Sequence, residues 1–259
     1  MMHQQDHLAS EICGSERAPA VVLLHPICAN RDIWRLQVPV WSAYFRVILV
    51  DLPGHGLSKP LGDAPQLTDF AAALRATLDA AGIDKVALVG VSLGSMVAQS
   101  FALAYPERTR ALVLANAGAM TPPQVQTLWD ERLRNYQALG AENHVRETAA
   151  RWFSPSYRAS APLTVNWIEE QIRATSQAGY VGAVHAIKGM DHTSRLARIA
   201  VPTMVIAGKN DAAVKPEICA GVANAIRDAR YAVLPGGHIS NVECATAFTE
   251  LAGGFLLQS

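Results

Sequence analysis

Three residues of this 259-residue chain have the types and surroundings for nucleophilic chemistry: Ser92, Asp211 and His238. Ser92 stands between Gly90 and Gly94 in VALVGVSLGSMVAQS, where an apolar run ends and a helix-like segment begins. Strand, G-x-S-x-G, helix is the pattern of a nucleophile elbow, a strained turn that lifts a serine hydroxyl above the sheet. Side chains at 90 and 94 would collide with the neighbouring strand and helix. A serine hydroxyl is a poor nucleophile until a base removes its proton. The elbow pattern places acid and then base later in the chain. Asp211 follows the apolar run of VIAGKNDAAV, and His238 follows two glycines in VLPGGHISNVE, so order and loop position both fit. His238 is expected to take the Ser92 proton, with Asp211 fixing the imidazole tautomer and stabilising the imidazolium.

A tetrahedral oxyanion needs two amide donors. The first is the N–H of Leu93, at the start of the helix after the elbow. The second is expected in the loop after an early strand, LLHPICANRDIW, at the N–H of Ile27. Pro26 has no N–H and presets the loop dihedral. The other histidines fit the role less well. His3 and His7 lie in the polar start, and His144, His185 and His192 read as solvated or surface residues of a helical region. His55 in DLPGHGLS reads as structural, and His25 belongs to the oxyanion loop. Asp51, the rival acid, precedes the serine and sits in a Pro-Gly turn.

These residues need a scaffold that presents several strand ends at one edge. Six short runs read as buried strands: 20–25, 45–51, 85–90, 110–116, 202–208 and 229–236. Their near-continuous apolar character suits a parallel sheet covered on both faces. Helical segments alternate with them at 67–82, 92–106, 215–226 and the C-terminus, with Thr68 or Asp69 as N-cap of the first. That alternation predicts an open, mostly parallel, doubly wound α/β sheet. From Thr121 to about Arg195 the rhythm breaks into amphipathic helical pieces punctuated by prolines. The expected organisation is a core over 1–120, a helical lid over 121–195 and the rest of the core over 196–259.

Half of the residues are hydrophobic and 17% are charged, which supports a sizeable core. Lys+Arg and Asp+Glu both number 22, so no overall field favours nucleic acid or an anionic membrane. Cys13, Cys28, Cys219 and Cys244 form no C-x-x-C pair, and they read as free thiols of a reducing compartment. The start is polar, without a basic stretch followed by an apolar one, and no apolar run reaches the length of a membrane span. The expectation is a cytoplasmic protein that needs no metal and no organic cofactor. An oligomer stays open.

DLPGHGLS, GVSLGS, YPERTRALVLAN, IAVPTMVIAGKND and GGHISNVE together resemble the α/β-hydrolase superfamily from about residue 20 onward. Within it the chain resembles 3-oxoadipate enol-lactonases, through His238–Glu243, LVLANAG, LWDERL with Trp129 and Arg132, and RWFSP. The pattern departs from that family at Ser95, Pro26 and Cys28, and little chain precedes AVVLLH to complete the sheet edge. The resemblance implies a small ester or lactone as substrate and an acyl-enzyme cycle. The lid residues Trp129, Trp152 and Arg132 would then cover a small cavity. A lactone bearing a free carboxylate needs a cation, for which Arg132, Arg134 and Arg151 are candidates and Arg132 leads by resemblance. Trp34 is a candidate pocket wall, beside the reading of an ordinary core tryptophan.

Other activities share the fold. A serine at the elbow argues against haloalkane dehalogenases and epoxide hydrolases, which resemble this pattern but use aspartate there. General carboxylesterases, carbon–carbon bond hydrolases of aromatic degradation and cofactor-free perhydrolases keep the same triad. A non-catalytic small-ligand binding protein is the alternative from a different class.

Overall fold

The protein is described by a computed structural model covering residues 7–259, and His3 lies outside these described residues. Among the described residues seven strands form one sheet in the order β1-β3-β2-β4-β5-β6-β7. They are β1 (Ser10–Cys13), β2 (Ala20–Leu24), β3 (Arg46–Val50), β4 (Val86–Val91), β5 (Thr109–Ala115), β6 (Thr203–Gly208) and β7 (Arg230–Leu234). All six runs read as strands are strands. They pair in parallel, and the central ones are buried along their whole length, as two-sided cover requires. The short segment ahead of AVVLLH supplies β1, which closes the edge antiparallel to β3 with Ser10 opposite Val50.

The helices are α1 (Val38–Trp41), α2 (Leu67–Ala80), α3 (Leu93–Ala104), α4 (Pro123–Trp152), α5 (Pro155–Ser160), α6 (Pro162–Ala174), α7 (Gln177–Lys188), α8 (Pro216–Ala225), α9 (Ser240–Glu243) and α10 (Ala245–Leu257). α3 packs on β2, β4, β5 and α2, holding the elbow from behind. α1 meets α10 through Trp41, whose ring lies 6.4 Å from that of Phe248. The α2 N-cap is Gln66, not Thr68 or Asp69. Asp69 instead occupies the third helical position, and its carboxylate accepts the Gln66 N–H at 2.7 Å.

Between β5 and β6 lie α4 to α7 and no strand. The two ends of this insertion meet in an antiparallel bridge between Met120 and Asp191, and the His192 N–H donates to the Ala119 carbonyl at 2.7 Å. α4 is two helices in sequence, interrupted at Gly140, where φ is 79° and ψ is 175°. Among the described residues no helix is long and apolar enough to cross a membrane.

Candidate active site

The turn between β4 and α3 holds Ser92 at φ 54° and ψ −117°, a conformation costly for any residue with a side chain. Its own N–H donates to the Ala115 carbonyl at 2.9 Å, so β5 holds the turn in place. A Cβ on Gly94 would overlap the Leu24 carbonyl, and one on Gly90 would overlap the Gly94 backbone. The crowding expected from the sequence is therefore present at both glycines. Ser95 adds a tie that the sequence does not announce: its hydroxyl reaches both the Gly90 carbonyl at 2.7 Å and the Ala115 carbonyl at 2.8 Å.

Asp211 and His238 meet from the loops after β6 and β7, with Nδ1 of His238 2.8 Å from Oδ2 of Asp211. Both are nearly buried, at 6% and 3% exposure. The second Asp211 oxygen accepts the N–H groups of Ala213 and Val214 at 2.7 and 2.9 Å. Burial alone would raise the Asp211 pKa. The His238 ring, the Val214 N–H and Asn116 outweigh it and leave the carboxyl below its ordinary value. A carboxylate on Nδ1 fixes the tautomer whose Nε2 is free to accept a proton. His238 and Ser92 line the same cavity of about 510 Å³, together with Ile27.

Asn116 was not singled out in the sequence. Its Nδ2 donates to Oδ2 of Asp211 at 3.0 Å while its Oδ1 accepts the Ser240 hydroxyl at 2.9 Å, joining the ends of β5, β6 and β7. Its backbone is left-handed, with φ 54°. An asparagine at a strand end, among the few residues that tolerate that conformation, is the signal that was available.

Ile27 lines the cavity, and Leu93 directly follows Ser92. Leu93 is the first residue of α3, so its N–H has no partner within the helix. The next residue after Ile27, Cys28, takes a left-handed backbone, with φ 60°.

The insertion brings Trp129, Arg132, Arg151 and Trp152 to the cavity. The Trp152 ring lies 6.3 Å from that of His238, and its carbonyl accepts the His238 N–H at 2.8 Å. The Arg132 guanidinium stacks 4.5 Å from the Trp129 ring centre. Burial and the neighbouring Arg151 both lower the Arg132 pKa, and among the described residues no carboxylate pairs with it. Arg151 donates to the Thr148 hydroxyl at 2.9 Å and lies 3.8 Å from Glu147. Arg134 is exposed and takes no part in the lining.

Trp34 is not a pocket wall. It is fully buried in the core beside Trp41 and Phe248, at ring distances of 6.4 and 6.1 Å. Two histidines of the insertion also differ from the surface reading. His192 is buried against Gln99. His144 is buried at the cavity, with Nε2 3.5 Å from the Cys28 sulfur and its ring 4.4 Å from that of Tyr180. Burial first, then the positive charge of Arg151, holds its pKa down at about 4. The other described histidines behave as read: His7 and His185 are exposed, His55 is buried with Nδ1 2.9 Å from the Pro53 carbonyl oxygen, and His25 is buried with Nδ1 2.7 Å from the Pro26 carbonyl oxygen. Asp51 pairs with Arg31 at 2.8 Å, far from His238 in the sheet order.

The alpha/beta hydrolase fold family matches residues 19–244. The chain belongs to the α/β-hydrolase family. This hydrolase is 26% identical over 249 residues to 3-oxoadipate enol-lactonase 1 of Acinetobacter baylyi, covering 96% of this chain and 92% of that one. It superposes on the enol-lactonase of Burkholderia xenovorans LB400 with a TM-score of 0.92 at 29% identity, covering 96% of each chain. A thermophilic esterase of Thermogutta terrifontis, solved with malate bound, gives a TM-score of 0.91 at 26% identity and covers 97% and 93% of the two chains. Family and relatives make this hydrolase an enzyme that cleaves esters or similar bonds.

Proposed function

We propose that the protein is a serine hydrolase that opens a small carboxylate-bearing lactone or ester through an acyl-enzyme, with an enol-lactone of the 3-oxoadipate kind as the leading substrate. The observation that carries this reading is one cavity lined by Ser92, His238 and an arginine, Arg132, that has no carboxylate partner among the described residues. The enol-lactonase likenesses support the lactone. The malate held by the esterase relative supports an anionic acyl group, and that relative favours open-chain esters as the second reading.

In this mechanism Nε2 of His238 takes the Ser92 proton as Oγ attacks the carbonyl carbon. The carbonyl π-electrons move to oxygen, where the Ile27 and Leu93 amides hold the charge. Collapse breaks the carbon–oxygen bond of the leaving group, and the imidazolium returns its proton to that oxygen. Water, deprotonated by His238, then attacks the acyl-enzyme by the same route and frees Ser92. The insertion acts as a lid that keeps bulk water from the acyl-enzyme.

The test compares turnover of 3-oxoadipate enol-lactone with that of a short p-nitrophenyl ester for wild type, Ser92→Ala and Arg132→Ala. Lactone turnover is expected to exceed ester turnover and to vanish with Ser92→Ala. Arg132→Ala is expected to raise KM for the anionic lactone and barely change it for the neutral ester. Equal effects on both would remove Arg132 from substrate recognition. Cleavage of a vinylogous diketone instead would assign carbon–carbon chemistry.

A further inference from the structure

The cavity has two chemically different halves, and the sheet order says where they lie. Ser92 follows β4, between β2 on one side and β5 and β6 on the other. Toward β2 the lining is polar: Cys28, His144, Tyr180, Arg132 and Arg151. His144 is largely neutral at pH 7, and burial keeps the Cys28 and Tyr180 protons in place, so the arginines set the sign there. The Tyr180 hydroxyl is buried without a hydrogen-bond partner among the described residues. Toward β5 and β6 the lining is mostly apolar, with Thr121 and Thr193 among it. Val125 and Leu128 of α4, both partly exposed, line this side together with Val214 ahead of α8 and Ile218, Val222 and Ala225 along it.

Gly221 stands at the solvent-facing edge of this apolar half. It lies inside α8, where glycine weakens a helix. Its φ is not positive, and no atom lies within 4 Å of where a Cβ would stand. Neither backbone conformation nor packing requires a glycine there, and Gly221, itself exposed, lines the cavity where it opens to solvent. A volume of about 510 Å³ falls in the range of pockets that hold drug-sized ligands, and a bare adipate-sized lactone would leave the apolar half unfilled.

We infer that the substrate is an amphiphile: an ester or lactone with a carboxylate on one side of the scissile carbonyl and an alkyl or aryl group on the other. The inference rests on the hydrolytic reading of Ser92 above. The carboxylate meets Arg132, Arg151 and the Tyr180 hydroxyl, and the apolar group lies along α8 beside Gly221.

Binding and turnover are measured separately so that the two readings fail separately. Titration calorimetry on Ser92→Ala uses the methyl, butyl and hexyl monoesters of succinate and the neutral hexyl methyl diester. From methyl to hexyl monoester, Kd is expected to fall by more than about 10-fold, since each buried methylene favours binding. Gly221→Leu in the same background fills the half-pocket and gains helix propensity, and it is expected to flatten that series. The neutral diester is expected to bind more weakly than the hexyl monoester. A flat series in Ser92→Ala, a slope unchanged by Gly221→Leu, or equal affinity for the diester would each overturn the amphiphile. Wild-type hydrolysis of the same monoesters tests the chemistry alone: a steep binding series without turnover keeps the ligand class and removes the hydrolytic reading.

Discussion

The loops after β4, β6 and β7 and the insertion between β5 and β6 line the same cavity but are built on opposite terms. In the loops every polar group of the proposed triad's support is engaged. Asp211 accepts from His238, Asn116, Ala213 and Val214, and Ser95 donates to both Gly90 and Ala115. On the insertion, among the described residues, Arg132 stacks on an aromatic face without an ion-pair partner and the Tyr180 hydroxyl has no hydrogen-bond partner. A group that must be in place before substrate arrives is fixed by the protein's own hydrogen bonds. A group that recognises substrate keeps its bonding capacity for the ligand.

That contrast predicts a clean separation of kinetic effects, largest in the loops. Asp211→Asn keeps the shape but offers Nδ1 the wrong partner, and kcat is expected to fall by about 10⁴-fold with KM nearly unchanged. Steady-state kinetics on the best ester or lactone decides it. A loss smaller than about 10-fold would show that the bonded half is scaffold and that the chemistry lies elsewhere.

The seam between the two regions is the next place to strike. Glu243, the last residue of α9, accepts both the N–H and the hydroxyl of Ser154 at 3.0 and 2.5 Å, just beyond the end of α4. Two residues before Ser154, the Trp152 carbonyl receives the His238 N–H. The insertion thus reaches the histidine loop by two short routes, and Glu243 is a positioning residue. Glu243→Gln is expected to lower kcat by roughly 10-fold, since small misplacements of a reacting group are costly, while KM changes less. Ser154→Ala should do the same, and the double variant should lose no more than either single one. A rise in KM alone would make the seam a lid anchor with no bearing on His238.

The same division explains what could be read in advance. Ser92, Asp211 and His238 sit at strand ends inside short motifs, where glycine crowding and chain order carry the information, and their assembly follows from the strand pattern. β1 was legible only as a short possibility, because four mostly exposed residues have no apolar run. Asn116 stayed hidden because its role depends on loops about 95 and 124 residues away in the sequence. His144 was misplaced because helical periodicity gives a face and not the element packed against it, whereas for Trp34 the core reading held and the pocket-wall reading did not. His144 faces the cavity through a helix whose direction changes at Gly140, and Trp34 turns inward toward α10.

Gly140 supplies the mildest and most informative perturbation. Arg132 and Arg151 are 19 residues apart, so in one straight helix their Cα atoms would be separated by about 28 Å. They line a single cavity because α4 breaks between them, at a backbone conformation that only glycine adopts readily. No atom crowds a Cβ there, so Gly140→Ala introduces backbone strain and nothing else. The expected cost is about 1–2 kcal/mol, seen as a fall in Tm of roughly 3–6 °C, with kcat on a neutral ester retained. KM for an anionic substrate should rise by a few-fold as the two arginines lose their common aim. A higher Tm with a large rise in that KM would mean that the helix straightens, making the break a recognition device held against helix propensity. A lower Tm with both KM values unchanged would mean that the arginines are placed by α6 and α7, and that the break only lets the chain fit.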